Sequence, residues 1–209
     1  VQLGIAEMTS SYKYQVYYDL ATNSTVSSNV FADWDLGFSC SDTVWNIVLN
    51  NSKTMHAGNT YLTDFESVTS HEGWEMDFDK SNGDPDSLAI FDWYNGDIEN
   101  PVSNDYVFVI DRGRDVNNDP AGYKKIIFET PEDNSFVIRY ANLDGSDEQS
   151  LTIQKDSELS YVCFSFDTGI VDIEPPKTDW TMRFTYYRTL YPDNDGILYP
   201  YNVVGALLN

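Results

Sequence analysis

Imidazole and thioether side chains are scarce in this sequence and are unevenly placed. The chain has two histidines and four methionines, and four of these six residues lie in two short central segments, as Met55, His56, His71 and Met76. Both segments are rich in turn-forming residues, so we expect the two histidines to lie on separate loops. Nitrogen and sulfur atoms of these types are the donors that many transition metals accept in proteins.

A second set of donors consists of oxygen atoms. Asp115, Asn117 and Asp119 stand at alternate positions, which is the spacing of a calcium-binding loop. However, Pro120 occupies the place where such a loop has glycine, and the closing glutamate is missing. Asp and Asn side chains also form turns without any metal. The pattern therefore leaves a calcium site and a metal-free turn as alternatives.

Catalytic motifs are absent from the sequence. Neither histidine lies in a recognisable nucleophile motif, and there is no Gly-x-Ser-x-Gly segment. No phosphate-binding glycine loop with lysine and no cysteine–histidine zinc cluster occurs. With 34 acidic residues, no single pair of carboxylates points to glycoside hydrolysis. We therefore predict a protein that binds and is not an enzyme.

The elements that must position these residues are β-strands. Apolar and aromatic residues alternate with polar ones in many short runs, and no helical period extends beyond two turns. The runs are Trp34 to Cys40, Trp45 to Leu49, Tyr106 to Ile110, Tyr123 to Phe128, Phe136 to Tyr140, Leu151 to Ile153, Tyr161 to Phe166 and Trp180 to Tyr186. This pattern predicts an all-β protein of antiparallel sheets and meanders with little helix.

Two parts of the chain resemble one another. Residues 10–50 and 161–209 each contain an aromatic strand closed by aspartate, a polar turn and a Val- or Ile-containing strand. An Asp-Trp pair then opens an alternating strand in each, at Asp33-Trp34 and at Asp179-Trp180. We predict two similar β units that flank a more irregular segment, about 51–105, within a single domain of residues 1–209.

Charge and cysteine content indicate an exported protein. The net charge of −22 opposes binding to nucleic acid and to anionic lipid, and no apolar run approaches the ~20 residues that span a bilayer. Cys40 and Cys163 form an even pair, compatible either with one disulfide or with two buried thiols. The first residue is Val and the last segment is an apolar strand, so we expect processing upstream and a chain that continues beyond Asn209.

Several segments occur in a familiar order. They are YDL followed by DWDLGF, then WNIVLNNS, YVFVIDRG, GYKKIIFE, DWTMRFTYYRT and YPYNVVGALLN. Together they resemble the HmuY-like outer-membrane lipoproteins of Bacteroidota, over roughly 12–50, 104–129 and 158–209. The resemblance implies an all-β fold, a cell-surface location, an N-terminal lipid anchor outside this chain, and a TonB-dependent receptor as partner.

The resemblance also implies haem as a ligand. In the founding members of the family, His or Met side chains on loops hold the haem iron from two sides. The candidates here are His56, His71, Met55 and Met76, with Trp74 and Tyr61 available to cover a porphyrin face. The acidic chain opposes binding of the propionates unless Lys53 or another base neutralises them.

Two other functions remain open. The protein is alternatively a structural or accessory subunit of a cell-surface complex, docking a larger partner through a sheet face or edge. It is alternatively a carbohydrate-binding module, in which exposed rings stack on sugars. The aromatic residues that fit the last role are Trp93-Tyr94, Tyr186-Tyr187 and Tyr191.

Overall fold

The computed structural model describes residues 3–81 and 84–208. Within these residues lie fifteen strands and four single-turn 3-10 helices. The strands are β1 (Tyr14–Asp19), β2 (Ser24–Val30), β3 (Leu36–Ser39), β4 (Ile47–Leu49), β5 (His56–Asn59), β6 (Tyr94–Asp97), β7 (Asn100–Ser103), β8 (Val107–Asp111), β9 (Tyr123–Glu132), β10 (Ser135–Ala141), β11 (Gln149–Gln154), β12 (Tyr161–Ser165), β13 (Gly169–Val171), β14 (Met182–Pro192) and β15 (Leu198–Leu208). The 3-10 turns are Phe31–Asp33, Asn51–Lys53, Phe65–Ser67 and Pro85–Ser87.

The strands form four antiparallel sheets. One has the order β11-β10-β9-β8-β5, a second β15-β14-β1-β2, a third β13-β12-β3-β4, and β6 pairs with β7. Each of the eight runs with two-residue alternation overlaps one of these strands. The all-β prediction is confirmed, because alternation exposes one face of each strand to the core and the other to different surroundings.

The main core lies between the β11-β10-β9-β8-β5 sheet and the β13-β12-β3-β4 sheet. Phe38 and Phe164 from one sheet meet Phe136 and Phe108 from the other, all at least 99% buried. Phe38 contacts Phe136 edge-on, with ring centroids 5.1 Å apart. Burying such a side chain contributes roughly 1.5–3 kcal/mol, so these rings dominate the attachment of one sheet to the other.

The two similar segments exchange strands. The first contains β1 to β4 and the second contains β12 to β15. Strands β1 and β2 pair onto β14, and strands β12 and β13 pair onto β3. Each four-stranded sheet therefore takes its first hairpin from one segment and its last two strands from the other. Whether the whole chain is one domain stays a prediction.

A buried charge cluster ties the sheets together. Asp35, at the start of β3, accepts contacts from the Lys53 ammonium and from the Arg112 guanidinium, whose Nη2 lies 3.0 Å from Asp35 Oδ2. Asp35 Oδ2 also accepts a hydrogen bond from the backbone N–H of Phe166, at 2.9 Å. Arg112 in turn bonds Asp167 through two nitrogens. Removing one partner of such a cluster leaves a buried charge without compensation.

This packing decides between the two states considered for the cysteines. Cys40 and Cys163 are free thiols and both are buried. Burial raises the pKa of Cys163 to about 12, so this thiol stays protonated. Among the described residues, no helix has the length and apolar character that crossing a bilayer requires.

Candidate functional site

His56 begins β5, the last strand of the five-stranded sheet. Alternation along this strand sends Ala57 into the main core and places His56 and Gly58 on the opposite, outer face. Met55 is also in the main core, with 0% of its surface exposed. Met55 was a ligand candidate, and its thioether is too deeply packed to reach any ligand on the outer face. His56 itself lies in a strand and not, as predicted, in a loop.

The imidazole of His56 has a cationic neighbour. Its Nε2 lies 2.8 Å from Nη1 of Arg188, which β14 supplies. A guanidinium only donates hydrogen bonds, so Nε2 accepts and the ring proton sits on Nδ1. Burial lowers the pKa of His56, the positive charge of Arg188 lowers it further, and Asp111 partly opposes both. The imidazole is therefore neutral at pH 7, which is the form that binds metals.

Phe78 joins His56 to two cations. Its buried ring meets the imidazole edge-on at 6.0 Å between centroids, and Arg188 lies 5.3 Å from the same ring. The Lys80 ammonium lies 4.2 Å from that ring on its own side and is also paired with Asp77. Aromatic faces attract cations at these distances. The result is a buried aromatic ring bordered by the His56 imidazole and by two positive charges.

Arg188 is not among the four basic residues that form ion pairs in the described parts of this acidic chain, which are Lys53, Lys80, Arg112 and Arg139. Within the described residues it has no ion pair with a carboxylate, whereas Arg112 is paired with Asp35 and Asp167. Lys53, the base considered for neutralising propionates, is 3% exposed and lies against Asp35, so it cannot serve that purpose. Arg188 therefore has N–H donors free for a negatively charged ligand.

His71 lies on the same outer face but at a distance. Its exposed ring stacks on Tyr123 at 4.0 Å and 15°. The strand register places Asp111 between His56 and Tyr123. Two strand spacings separate the rows, or roughly 10 Å. Two imidazoles that share one metal stand only about 4 Å apart, so the structure does not place these two histidines across a common slot.

Met76 and the two expected covering residues have packing roles. The Met76 sulfur lies over Gly58, where an added Cβ would come within 2.6 Å of it. Trp74 and Met76 pack against a small second cluster on the outer face, around Phe65 and Val109. Tyr61 is exposed and contacts Tyr106 edge-on at 5.4 Å. The structure thus brings Met76 close to β5 without freeing its sulfur.

The proposed calcium loop is closed by its own backbone. Asp115 Oδ1 accepts hydrogen bonds from the N–H groups of Asn117 and Asp119, at 2.8 and 2.9 Å. These contacts lower the pKa of Asp115, the bond from Asp119 first. In the parts of the chain that the structure describes, no group of three or more His, Cys, Asp or Glu is arranged to hold a metal. Calcium stays a sequence prediction, and the geometry supports the metal-free turn.

The aromatic residues considered for sugar binding differ in exposure, since Trp93 is buried, Tyr94, Tyr186 and Tyr187 are half-buried, and Tyr191 is exposed. Trp93 is 2% exposed and its Nε1 donates to the Trp45 carbonyl oxygen. Tyr191 is 64% exposed, but its nearest aromatic partner, Tyr201, is tilted by 48° at 6.3 Å. A sugar-stacking platform requires faces that are exposed together, and this pair is not coplanar.

Arg188 is the residue of this candidate site that sequence reasoning missed. It is 132 residues from His56, in a strand whose alternation gives no sign of which element it faces. The alternation of Met55 and Ala57 with His56 and Gly58, by contrast, was present in the sequence and separates the core residues from the outer ones.

Comparison with known proteins gives one match. No curated protein and no solved structure matches the chain significantly. A family model described as HmuY protein matches residues 11–155, which is more than half of the chain and includes His56, Phe78 and the whole five-stranded sheet. The chain therefore belongs to the HmuY family.

Proposed function

We propose that this protein binds haem without catalysing a reaction, on the outer face of β5, with His56 as the iron ligand and Arg188 as the partner of a haem propionate. The observation that carries the proposal is the contact between a neutral, partly exposed imidazole and a guanidinium with no carboxylate partner among the described residues. Membership of a family linked to haem binding supports the same ligand.

The donor set fits one axial position of haem. The lone pair of His56 Nε2 accepts a hydrogen bond from Arg188, so iron would bind this nitrogen once the guanidinium moves from Nε2 to a propionate. Phe78 supplies an aromatic edge beside both groups. Met55 is in the core, and His71 and Met76 are engaged elsewhere on the outer face. We therefore expect a single protein ligand to the iron, with the opposite side open to solvent or to another molecule.

Haem titration of His56 variants tests the proposal. The wild-type protein should shift the Soret band of haem. His56→Ala should weaken haem binding by about tenfold or more, because the variant loses the proposed bond between the imidazole and iron. His71→Ala is the matched control, because His71 is the other histidine, on the same face, and should change affinity by less than about twofold. No Soret shift with ferric or ferrous haem, or equal effects of the two variants, would falsify His56 ligation.

The role of Arg188 is separable from that of His56 by changing the ligand. Arg188→Gln should weaken haem binding about tenfold but should leave binding of the haem dimethyl ester unchanged, because the ester has no carboxylate to pair. Arg114→Gln, a change to an exposed arginine in the loop after β8, serves as the control. Equal losses for haem and its ester would show that Arg188 acts only by supporting the fold.

Surface location, a lipid anchor and delivery of haem to a TonB-dependent receptor complete the proposal. Their support is the family relationship and an open site on one face of the molecule. A role as an accessory subunit of a surface complex also requires a partner protein. Haem should change the binding of that partner if the protein delivers haem, and should leave it unchanged if the protein is a permanent accessory subunit.

A further inference from the structure

A cavity lies between the two four-stranded sheets, and Lys80, which also borders the His56 site, is part of its lining. Its volume is about 450 Å³, within the range of about 300–1,000 Å³ typical of small-molecule sites. Trp34, Val48 and Leu49 line one side, from the β3 and β4 region. Trp180, Arg183 and Leu207 line the other, from the β14 and β15 region. Most of the exposed wall is apolar or aromatic, and two cationic side chains border it, Arg183 and Lys80, of which Lys80 is paired with Asp77.

Arg183 lacks the carboxylate partner that a buried guanidinium normally has. Its Nε is buried and has no hydrogen-bond partner among the described residues, while the neighbouring Tyr17 hydroxyl interacts with the same guanidinium. Nor does Arg183 form an ion pair with any described carboxylate. The guanidinium lies 5.9 Å from the Tyr17 ring and 5.9 Å from the Trp34 ring. Unsatisfied donors in a cavity wall point to an acceptor that enters from outside.

Three acidic side chains border the same space, Asp79, Asp84 and Glu174, and each accepts a hydrogen bond from a backbone N–H group. Glu174 Oε1 accepts a hydrogen bond from the Ser160 N–H at 2.6 Å, and burial raises the pKa of Glu174. Asp79 accepts hydrogen bonds from the N–H groups of Leu49 and Ala89. None of the three carboxylates lies within ion-pair distance of Arg183. The positive charge of Arg183 is therefore the one left to recognise a ligand.

The cavity is chemically unlike the His56 site. Its described lining contains no histidine and no methionine. Cys163 borders it, but the raised pKa keeps this thiol protonated and therefore a poor metal ligand. A ligand of this cavity would be held by charge and packing, without coordination to iron.

We propose that this cavity binds a small organic acid, with one carboxylate held by Arg183 and with an aromatic or aliphatic body packed between Trp34, Trp180 and Leu207. A carboxylate accepts parallel hydrogen bonds from a guanidinium, and its charge offsets that of the arginine in surroundings that water screens poorly. The aromatic walls remove the body of the ligand from water.

Calorimetric titration with matched acids and amides tests this site. Indole-3-acetate and 4-phenylbutyrate are the probes, and their uncharged amides are the controls. We expect the acids to bind with a Kd of about 1 mM or tighter and the amides to bind about tenfold more weakly, because only the acids pair with Arg183. Binding of neither acid, or equal binding of acid and amide, would mean that the cavity holds water only and would overturn the proposal.

Two variants separate this site from the proposed haem site. Arg183→Met should remove the preference for acid over amide while leaving the Soret titration unchanged, and Arg188→Met should do the reverse. Leu207→Trp, which fills the cavity without changing its charge, should abolish binding of acid and amide alike and keeps the test decisive if Arg183→Met fails to fold. Undiminished acid binding in Leu207→Trp would place the ligand elsewhere and overturn the proposal.

Discussion

At the scale of single residues, the environment gives ordinary side chains unusual properties. His56 becomes a neutral hydrogen-bond acceptor because burial and Arg188 both oppose its protonation. Asp79 is the acidic counterpart: it is 4% exposed, and burial raises its pKa from 3.8 to about 6. Two backbone N–H groups offset part of this penalty. Each group therefore prefers its neutral form more than it would in water.

Asp79 predicts a defined dependence of stability on pH. Because its folded-state pKa is raised, the folded protein retains a proton that the unfolded chain releases above about pH 4. Its contribution to the free energy of unfolding is therefore largest at low pH and decreases by about 2 kcal/mol between pH 4 and pH 7. Urea unfolding of the wild type and of Asp79→Asn should differ by an amount that changes over this window. A difference that does not vary with pH would contradict the raised pKa.

At the scale of secondary-structure elements, close approaches between segments position the charged residues. Gly113 follows Arg112 and has a φ of +66°, and a Cβ there would overlap the Lys53 carbonyl oxygen. The same carbonyl accepts a hydrogen bond from the Arg114 N–H at 2.8 Å. The loop after β8 and the turn before β5 thus pack backbone against backbone, which keeps Lys53 and Arg112 on Asp35.

Gly113→Ala should destabilise the protein through this contact. A positive φ alone disfavours alanine by roughly 1–2 kcal/mol, and overlap with a backbone atom adds roughly 1–3 kcal/mol. Gly122→Ala isolates the first effect, since Gly122 has a φ of +83° and nothing within 4 Å of the added carbon. Chemical denaturation should place Gly113→Ala below Gly122→Ala in stability. Equal losses of stability in the two variants would show that the loop after β8 and the turn before β5 move apart at little cost.

At the scale of the whole molecule, the charge and the exchanged strands define how the protein meets a partner. Four antiparallel sheets place the His56 site and the inter-sheet cavity in different parts of one framework. The net charge of −22 surrounds both sites with a negative field. Such a field favours encounter with a basic surface and disfavours encounter with phosphate or anionic lipid.

Receptor delivery predicts a salt-dependent association. Cross-linking of the haem-loaded protein on outer membranes should recover a TonB-dependent receptor. The rate of association with that receptor should decrease as salt is raised from about 0.1 M to about 1 M, because the Debye screening length decreases from about 10 Å to about 3 Å. The haem-free protein is the control that separates haem delivery from a permanent accessory role. Recovery of the protein alone, or a rate that is independent of salt, would count against this partner.

Features of the fold and of the site could be predicted from the sequence where they depend on neighbouring residues, and not where they depend on contacts between distant segments. Alternation identified the strands because side chains at i and i+2 share a face whatever the sheet order. The same alternation around Met55 and His56 shows which of the two faces the core, although both had been proposed as ligands. Lys53 illustrates the limit, since nothing in the local sequence shows that its ammonium lies against Asp35.

By itself, the sequence determined that this protein is all-β, acidic and related to the HmuY proteins, because local sterics, composition and short motifs are written along the chain. Only the tertiary structure decided that Arg188 reaches His56 and that Arg183 faces a cavity without a carboxylate partner among the described residues. These contacts depend on strand order and register between segments more than 100 residues apart, which no local pattern encodes.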